Sequence, residues 1–173
     1  SLASFGGRRY TRGIMGNSAF TEPGGERYFE DYVAGSVHEL GTVRVEEDEA
    51  IDFARRFDPQ PFHTDPEAAK ETVFGGLIVS GWYTVSLMMR LYAGRYLSSV
   101  SSLGSPGVDE LRWIKPVRPG DELSVRVSVL ETRRSRSKPD RGIVRSLIEV
   151  LDRRGEEVMS MRAVNLVLRH PER

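Results

Sequence analysis

Apolar and polar positions change period several times along the chain, and each change predicts an element. Over residues 121–131 (DELSVRVSVLE), Leu123, Val125, Val127 and Val129 alternate with Glu122, Ser124, Arg126 and Ser128. This period of two predicts a strand with one face on a core and one toward water. Residues 143–151 and 157–168 continue in β-type sequence, and Asp152-Arg153-Arg154-Gly155 between them has the composition of a tight hairpin. With 108–115 this makes four consecutive strands, and 37–46 (VHELGTVRVE) predicts another ahead of them. Two segments carry a helical period instead. In 48–57 (DEAIDFARRF), Ala50, Ile51, Phe53, Ala54 and Phe57 form one apolar face that opens on acids and stops before a proline, so a short amphipathic helix delivers Asp58 at its end. In 81–97 (GWYTVSLMMRLYAGRYL) almost no polar face remains, which predicts a helix wrapped nearly all round. One antiparallel sheet curled around a single long buried helix, at about 81–97, satisfies both patterns and places the chain in the α+β class.

Punctuation by Gly and Pro falls at Pro23-Gly24-Gly25, Gly75-Gly76, Ser105-Pro106-Gly107 and Pro119-Gly120-Asp121, with no repeat and no low-complexity linker. A length of 173 residues with 39% apolar content therefore predicts one domain with a real core, over residues 28–168. Residues 1–27 are expected to form an arm packed on it, in preference to an organelle transit peptide, and 169–173 a C-terminal tail. Lys plus Arg equals Asp plus Glu at 25 each, so no net field draws the protein to nucleic acid or to an anionic membrane. Small molecules and copies of itself are the expected partners. With no cysteine, disulfides, thiol nucleophiles and thiolate metal sites are excluded, which agrees with a cytoplasmic location. No apolar run is long enough to span a bilayer, and a soluble protein is expected.

Chemistry concentrates in Phe57-Asp58-Pro59-Gln60-Pro61-Phe62-His63-Thr64-Asp65. The prolines fix φ and disfavour helix in the residue before them, so a rigid loop is predicted. Such a loop can hold a carboxylate and an imidazole at a set separation, as proton transfer requires. Simpler roles are open to the same residues: Asp58 in a turn, His63 capping a helix or holding a buried carbonyl, and Asp65 as the N-cap of a helix begun by Pro66. Next, Gly75-Gly76-Leu77-Ile78-Val79-Ser80-Gly81 runs straight into the apolar helix. The first N–H groups of a helix have no internal partner and carry partial positive charge, and glycine allows a ligand to approach. The Gly81 N–H is thus a candidate oxyanion donor, with Ser80 and Gln60 beside it as candidates for substrate contact; close packing alone is the simpler role for Gly81. The histidines, His38, His63 and His170, show no ligand spacing, so no metal is expected.

The order Phe53-Ala54, Asp58-x-Gln60-Pro61-x-His63, Ser80-Gly81 opening a long apolar helix, then Lys115-Pro116-Val117-x-Pro119-Gly120-Asp121 resembles the MaoC-like dehydratases. That family includes the R-specific enoyl-CoA hydratases and has the hot-dog fold. The resemblance covers roughly residues 28–168. Five positions separate Asp58 from His63 and 23 separate Asp58 from Gly81, both as the family has them. Where the family motif reads Gly-Asp-x-Asn-Pro-x-His, this chain has Phe57 for the glycine and Gln60 for the asparagine.

The resemblance implies that Asp58 and His63 are an acid/base pair holding the water that adds across the double bond of an enoyl thioester, or leaves in the reverse reaction. It implies that the Gly81 N–H meets the enolate oxygen. Phe57 and Gln60 are then expected to bear on the choice of acyl group. Coenzyme A would enter as the substrate's handle with no separate cofactor, and the protein would be a homodimer or higher homo-oligomer. Phosphates of coenzyme A need cations. Arg133-Arg134-Ser135-Arg136-Ser137-Lys138 is the densest basic run, with Arg112, Lys115 and Arg118 as further candidates, although a solvated hairpin tip explains the run equally. Two rival functions fit the same fold: a thioesterase using Asp58 as base or nucleophile, against which the spacing to His63 argues, and a non-catalytic acyl-CoA binding protein whose site Phe57 and Gln60 have spoiled.

Overall fold

The structure, a computed structural model, describes Phe20 and residues 24–172. The expected N-terminal arm falls largely outside the described residues; Phe20, within it, stacks on His38 with ring centroids 4.0 Å apart.

Every segment of period two forms a strand. β1 (Val37–Arg44), β2 (Gly107–Trp113), β3 (Glu122–Arg134), β4 (Arg141–Leu151) and β5 (Glu157–Leu168) make one antiparallel sheet in the order β1-β3-β4-β5-β2. Among the described residues the α-helices are α1 (Glu47–Phe57), α2 (Pro61–Thr64), α3 (Pro66–Lys70) and α4 (Gly81–Arg95). The alternation predicted for β3 is literal, with Leu123, Val125, Val127 and Val129 each no more than 1% exposed. A bulge between Val129 and Glu131 ends that period, so Glu131 is exposed next to the outward-facing Leu130 although the strand continues to Arg134. In the β4–β5 turn, the Asp152 carboxylate accepts from the Arg154 and Glu156 N–H groups and Gly155 takes φ +75°, the left-handed conformation a tight hairpin needs.

Packed across the sheet, α4 buries Tyr83, Leu87, Met88, Leu91 and Tyr92, which gives the hot-dog arrangement. The tyrosine hydroxyls at the C-terminal end of this helix are paired, as burial demands. The Tyr92 hydroxyl donates to Asn165 Oδ1 (2.6 Å), and the Tyr96 hydroxyl bonds to Ser146 Oγ (2.6 Å). Two expectations for the helix need correction. It ends at Arg95 rather than Leu97, because the Tyr96 and Leu97 N–H groups both turn onto the Tyr92 carbonyl. Nor is it wrapped all round: the sheet covers one side, and α1 ties down another through Glu49, which accepts from the Tyr83 hydroxyl (3.0 Å) and pairs with Arg90. Trp82 and Met89 stay 54% and 37% exposed on the remaining face. Among the described residues no helix is long and apolar enough to cross a membrane.

One joint fixes the position of the site. Val45, just past β1, accepts from the Gly120 N–H and donates to the Asp121 carbonyl (2.8 Å each), while the Val79 N–H donates to the Val117 carbonyl (2.8 Å). The segment 114–117 between β2 and β3 is thereby held beside the start of α4.

Candidate active site

Asp58 closes α1: its N–H donates to the Ala54 carbonyl (2.8 Å), and its backbone leaves the helical region at φ −150°. The rigid loop predicted after it is in part a helix. Gln60 is extended (φ −91°, ψ 143°), as a residue before proline should be, and Pro61 then starts the single turn of α2, since a missing N–H costs nothing at a first helical position. That turn carries His63 inward to 6% exposure. Asp65 caps α3 as expected, accepting from the Glu67 and Ala68 N–H groups.

His63 Nδ1 lies 2.9 Å from the Ile78 carbonyl oxygen. A carbonyl only accepts, so Nδ1 holds the hydrogen and Nε2 is the nitrogen left to exchange protons. Nε2 points at Asp58, 3.3 Å from Oδ2. The buried-carbonyl role and the acid/base geometry considered for this histidine therefore coexist, one on each nitrogen.

Two donors hold the Asp58 carboxylate, the Ser80 hydroxyl on Oδ2 and the Gln60 amide on Oδ1, both at 2.7 Å. Burial by itself would raise the Asp58 pKa; the bonds from Gln60 and Ser80 and the charge of His63 outweigh it and leave the group below its ordinary value. Ser80, expected to contact substrate, is fully buried and orients the carboxylate instead. It also accepts from the Trp82 N–H (3.3 Å) as the N-cap of α4, so one hydroxyl links the helix start to the carboxylate.

Asp58, Gln60 and His63 open on a cavity of about 420 Å³, with Phe62, Ile78, Gly81, Thr84, Trp113, Ile114, Lys115 and Val117 among its other walls. Gly81 is the first residue of α4, and its N–H has no acceptor among the described residues. A Cβ on Gly81 would run into the Trp113 indole. The glycine's lack of a side chain thus serves close packing as well as ligand approach. Phe57 does not crowd this space. It is 64% exposed, its ring packs on Phe53, and it is absent from the cavity wall, because the α1 C-terminus turns it outward.

The basic run sits far from here. β3 starts beside 117–121 and runs 13 residues to the hairpin that holds Arg136 and Lys138, a span of roughly 40 Å at about 3.3 Å per residue. Of the other cations, Lys115 lines the cavity and pairs with Glu156, while Arg118 holds the Phe74 (2.6 Å) and Leu77 (3.4 Å) carbonyls and so braces the loop into α4. Trp82, Trp113 and Ile114 are wall residues that sequence reasoning missed. The signal available was the pairing of a helix-opening glycine with a large aromatic on a neighbouring strand, which requires knowing that the strand is a neighbour. Among the described residues no three His, Asp or Glu side chains converge as a metal-ligand set.

Comparison with known proteins adds an independent line. Residues 29–150 match the model of the MaoC-like domain. A MaoC-like dehydratase from Rhodospirillum rubrum is 41% identical, with a TM-score of 0.78 over 84% of this chain and 99% of that one. An R-hydratase from Pseudomonas aeruginosa in the unliganded form is 26% identical, with a TM-score of 0.67 over 83% of this chain and 86% of its own. The uncharacterized protein YdeM of Bacillus subtilis is 30% identical over 63% of this chain and 77% of its own length.

Proposed function

Because the chain belongs to the MaoC-like domain family, we propose that it is a hydratase/dehydratase that adds water across, or removes it to form, the 2,3-double bond of an enoyl thioester, with coenzyme A as the thioester's handle. The observation that carries this reading is the placement of Asp58 Oδ2 and His63 Nε2 3.3 Å apart on the wall of a cavity that Gly81, the first residue of α4, also lines.

The chemistry follows from that placement. With one proton placed on the pair, one member serves as the acid and the other as the base. A water held by both groups gives a proton to the base as its oxygen bonds to the β-carbon, and the acid delivers its proton to the α-carbon. The pair ends with the same number of protons, and their direct contact returns the proton to its starting side. Both groups act from one wall, which favours addition to a single face of the double bond. Meanwhile charge gathers on the thioester oxygen, where the Gly81 N–H and the partial positive charge of the α4 N-terminus meet it; one such donor typically contributes ~3 kcal/mol to the transition state. Lys115 stands at the cavity as the cation best placed for the carrier's phosphates.

A homodimer fits the same reading. β2 is an edge strand that is exposed almost throughout, and with α4 it displays Val108, Trp113, Ile114, Trp82 and Met89. Unpaired strand edges and contiguous apolar surface of this kind are what protein partners cover.

Incubating the purified protein with crotonyl-CoA tests the activity. Loss of the enoyl ultraviolet absorbance without release of thiol is the expected result. Thiol release would make it a thioesterase, and neither change across a panel of branched and dicarboxylic enoyl-CoAs would leave a binding protein.

A further inference from the structure

The chain has two tryptophans, and both line the cavity. Trp82 and Trp113 meet edge to face with ring centroids 5.1 Å apart, one from the first turn of α4 and the other from the end of β2. Neither is a core residue, since they remain 54% and 46% exposed. Trp113 fills the space a side chain on Gly81 would take, so its indole borders whatever atom accepts from the Gly81 N–H. In a bound thioester that atom is the carbonyl oxygen, which puts the carbonyl carbon and the α-carbon next to the ring. Asp58 and His63, on the wall of the same cavity, fix where the β-carbon must lie. The α-carbon therefore lies between the pair and the edge of the indole that carries Cε2 and Nε1, the atoms nearest to where a Gly81 side chain would sit.

We infer that Trp113 is a specificity-determining residue: its indole, braced by Trp82, admits enoyl thioesters unbranched at the α-carbon and turns away those with an α-methyl group. This rests on the hydratase reading, because it is that chemistry which places the carbonyl at Gly81. A single misplaced methyl in an apolar slot changes kcat/KM by about 10–200-fold, enough to measure cleanly.

The test compares hydration of crotonyl-CoA with that of 2-methylcrotonyl-CoA by the wild type, Trp113→Phe and Trp113→Ala. The wild type should prefer the unbranched substrate by about tenfold or more, Trp113→Ala should narrow that preference by about tenfold through a gain on the branched substrate, and Trp113→Phe should keep most of it. An active Trp113→Ala enzyme with the wild-type preference, or a wild type that takes both substrates alike, overturns the inference. If Trp113→Ala does not fold, Trp113→Leu takes its place. Calorimetric binding of butyryl-CoA against 2-methylbutyryl-CoA separates the two readings. Selective binding by the wild type that is lost in the alanine variant upholds the indole wall even if no enoyl-CoA is hydrated, an outcome that would sink the hydratase reading alone. Binding of neither thioester by the wild type overturns the wall together with the reading it rests on.

Discussion

At the scale of single residues, the site is a carboxylate with both oxygens engaged and an imidazole with one nitrogen engaged. Asp58→Asn and His63→Ala should each lower turnover by about 10²–10⁴-fold, the usual contribution of a positioned acid or base, with the circular dichroism unchanged; near-normal turnover in either would remove that residue from the mechanism. Ser80→Ala makes a finer demand. The Asp58 pKa is lowered, with burial working against the shift and the Gln60 and Ser80 bonds and His63 working for it. A depressed carboxylate contributes stability and activity that are present above its unfolded pKa and disappear as pH falls through the folded one. Losing the Ser80 donor raises that folded pKa, so the acid limb of kcat/KM should move to higher pH, and an unmoved limb would contradict the role given to Ser80. Asp58 and His63 were legible in the sequence because their spacing is local. The partner of Ser80 was not, since it lies 22 positions away and depends on how α1 meets α4.

Elements were legible wherever their period was strong. The strands of the β3–β5 meander and α1 fall within a few residues of expectation, because an alternating stretch has only one way to bury its apolar face. α2 was hidden, since a single helical turn has no period to read. α4 misled in another way: apolar residues all round a helix predict cover on every side, but not that the covering atoms belong to the same chain. Packing at the element scale can be tested where α4 meets β2. Gly81→Ala should cost about 1–3 kcal/mol in denaturant unfolding, the range for overpacking, and much less in a Trp113→Ala background that removes the obstructing indole. Equal costs in the two backgrounds would mean that the indole does not set the helix start.

For the whole molecule, the sheet and helix enclose one core, while β2 and α4 keep apolar surface that a single chain leaves uncovered. Sedimentation at micromolar concentration should give a particle of twice the chain mass, and Met89→Lys, which puts a charge on that face, should shift it toward the monomer; a monomeric wild type would contradict the homodimer. The central claim concerns water and a carbon–carbon double bond, and it can be read in one mass spectrum. Crotonyl-CoA incubated with the wild type in ¹⁸O-labelled water should become a 3-hydroxyacyl-CoA heavier by one molecule of labelled water, and the same incubation with Asp58→Asn should leave it unchanged. Unaltered crotonyl-CoA with the wild type, or label found in a free carboxylate beside unacylated coenzyme A, would contradict the hydratase mechanism.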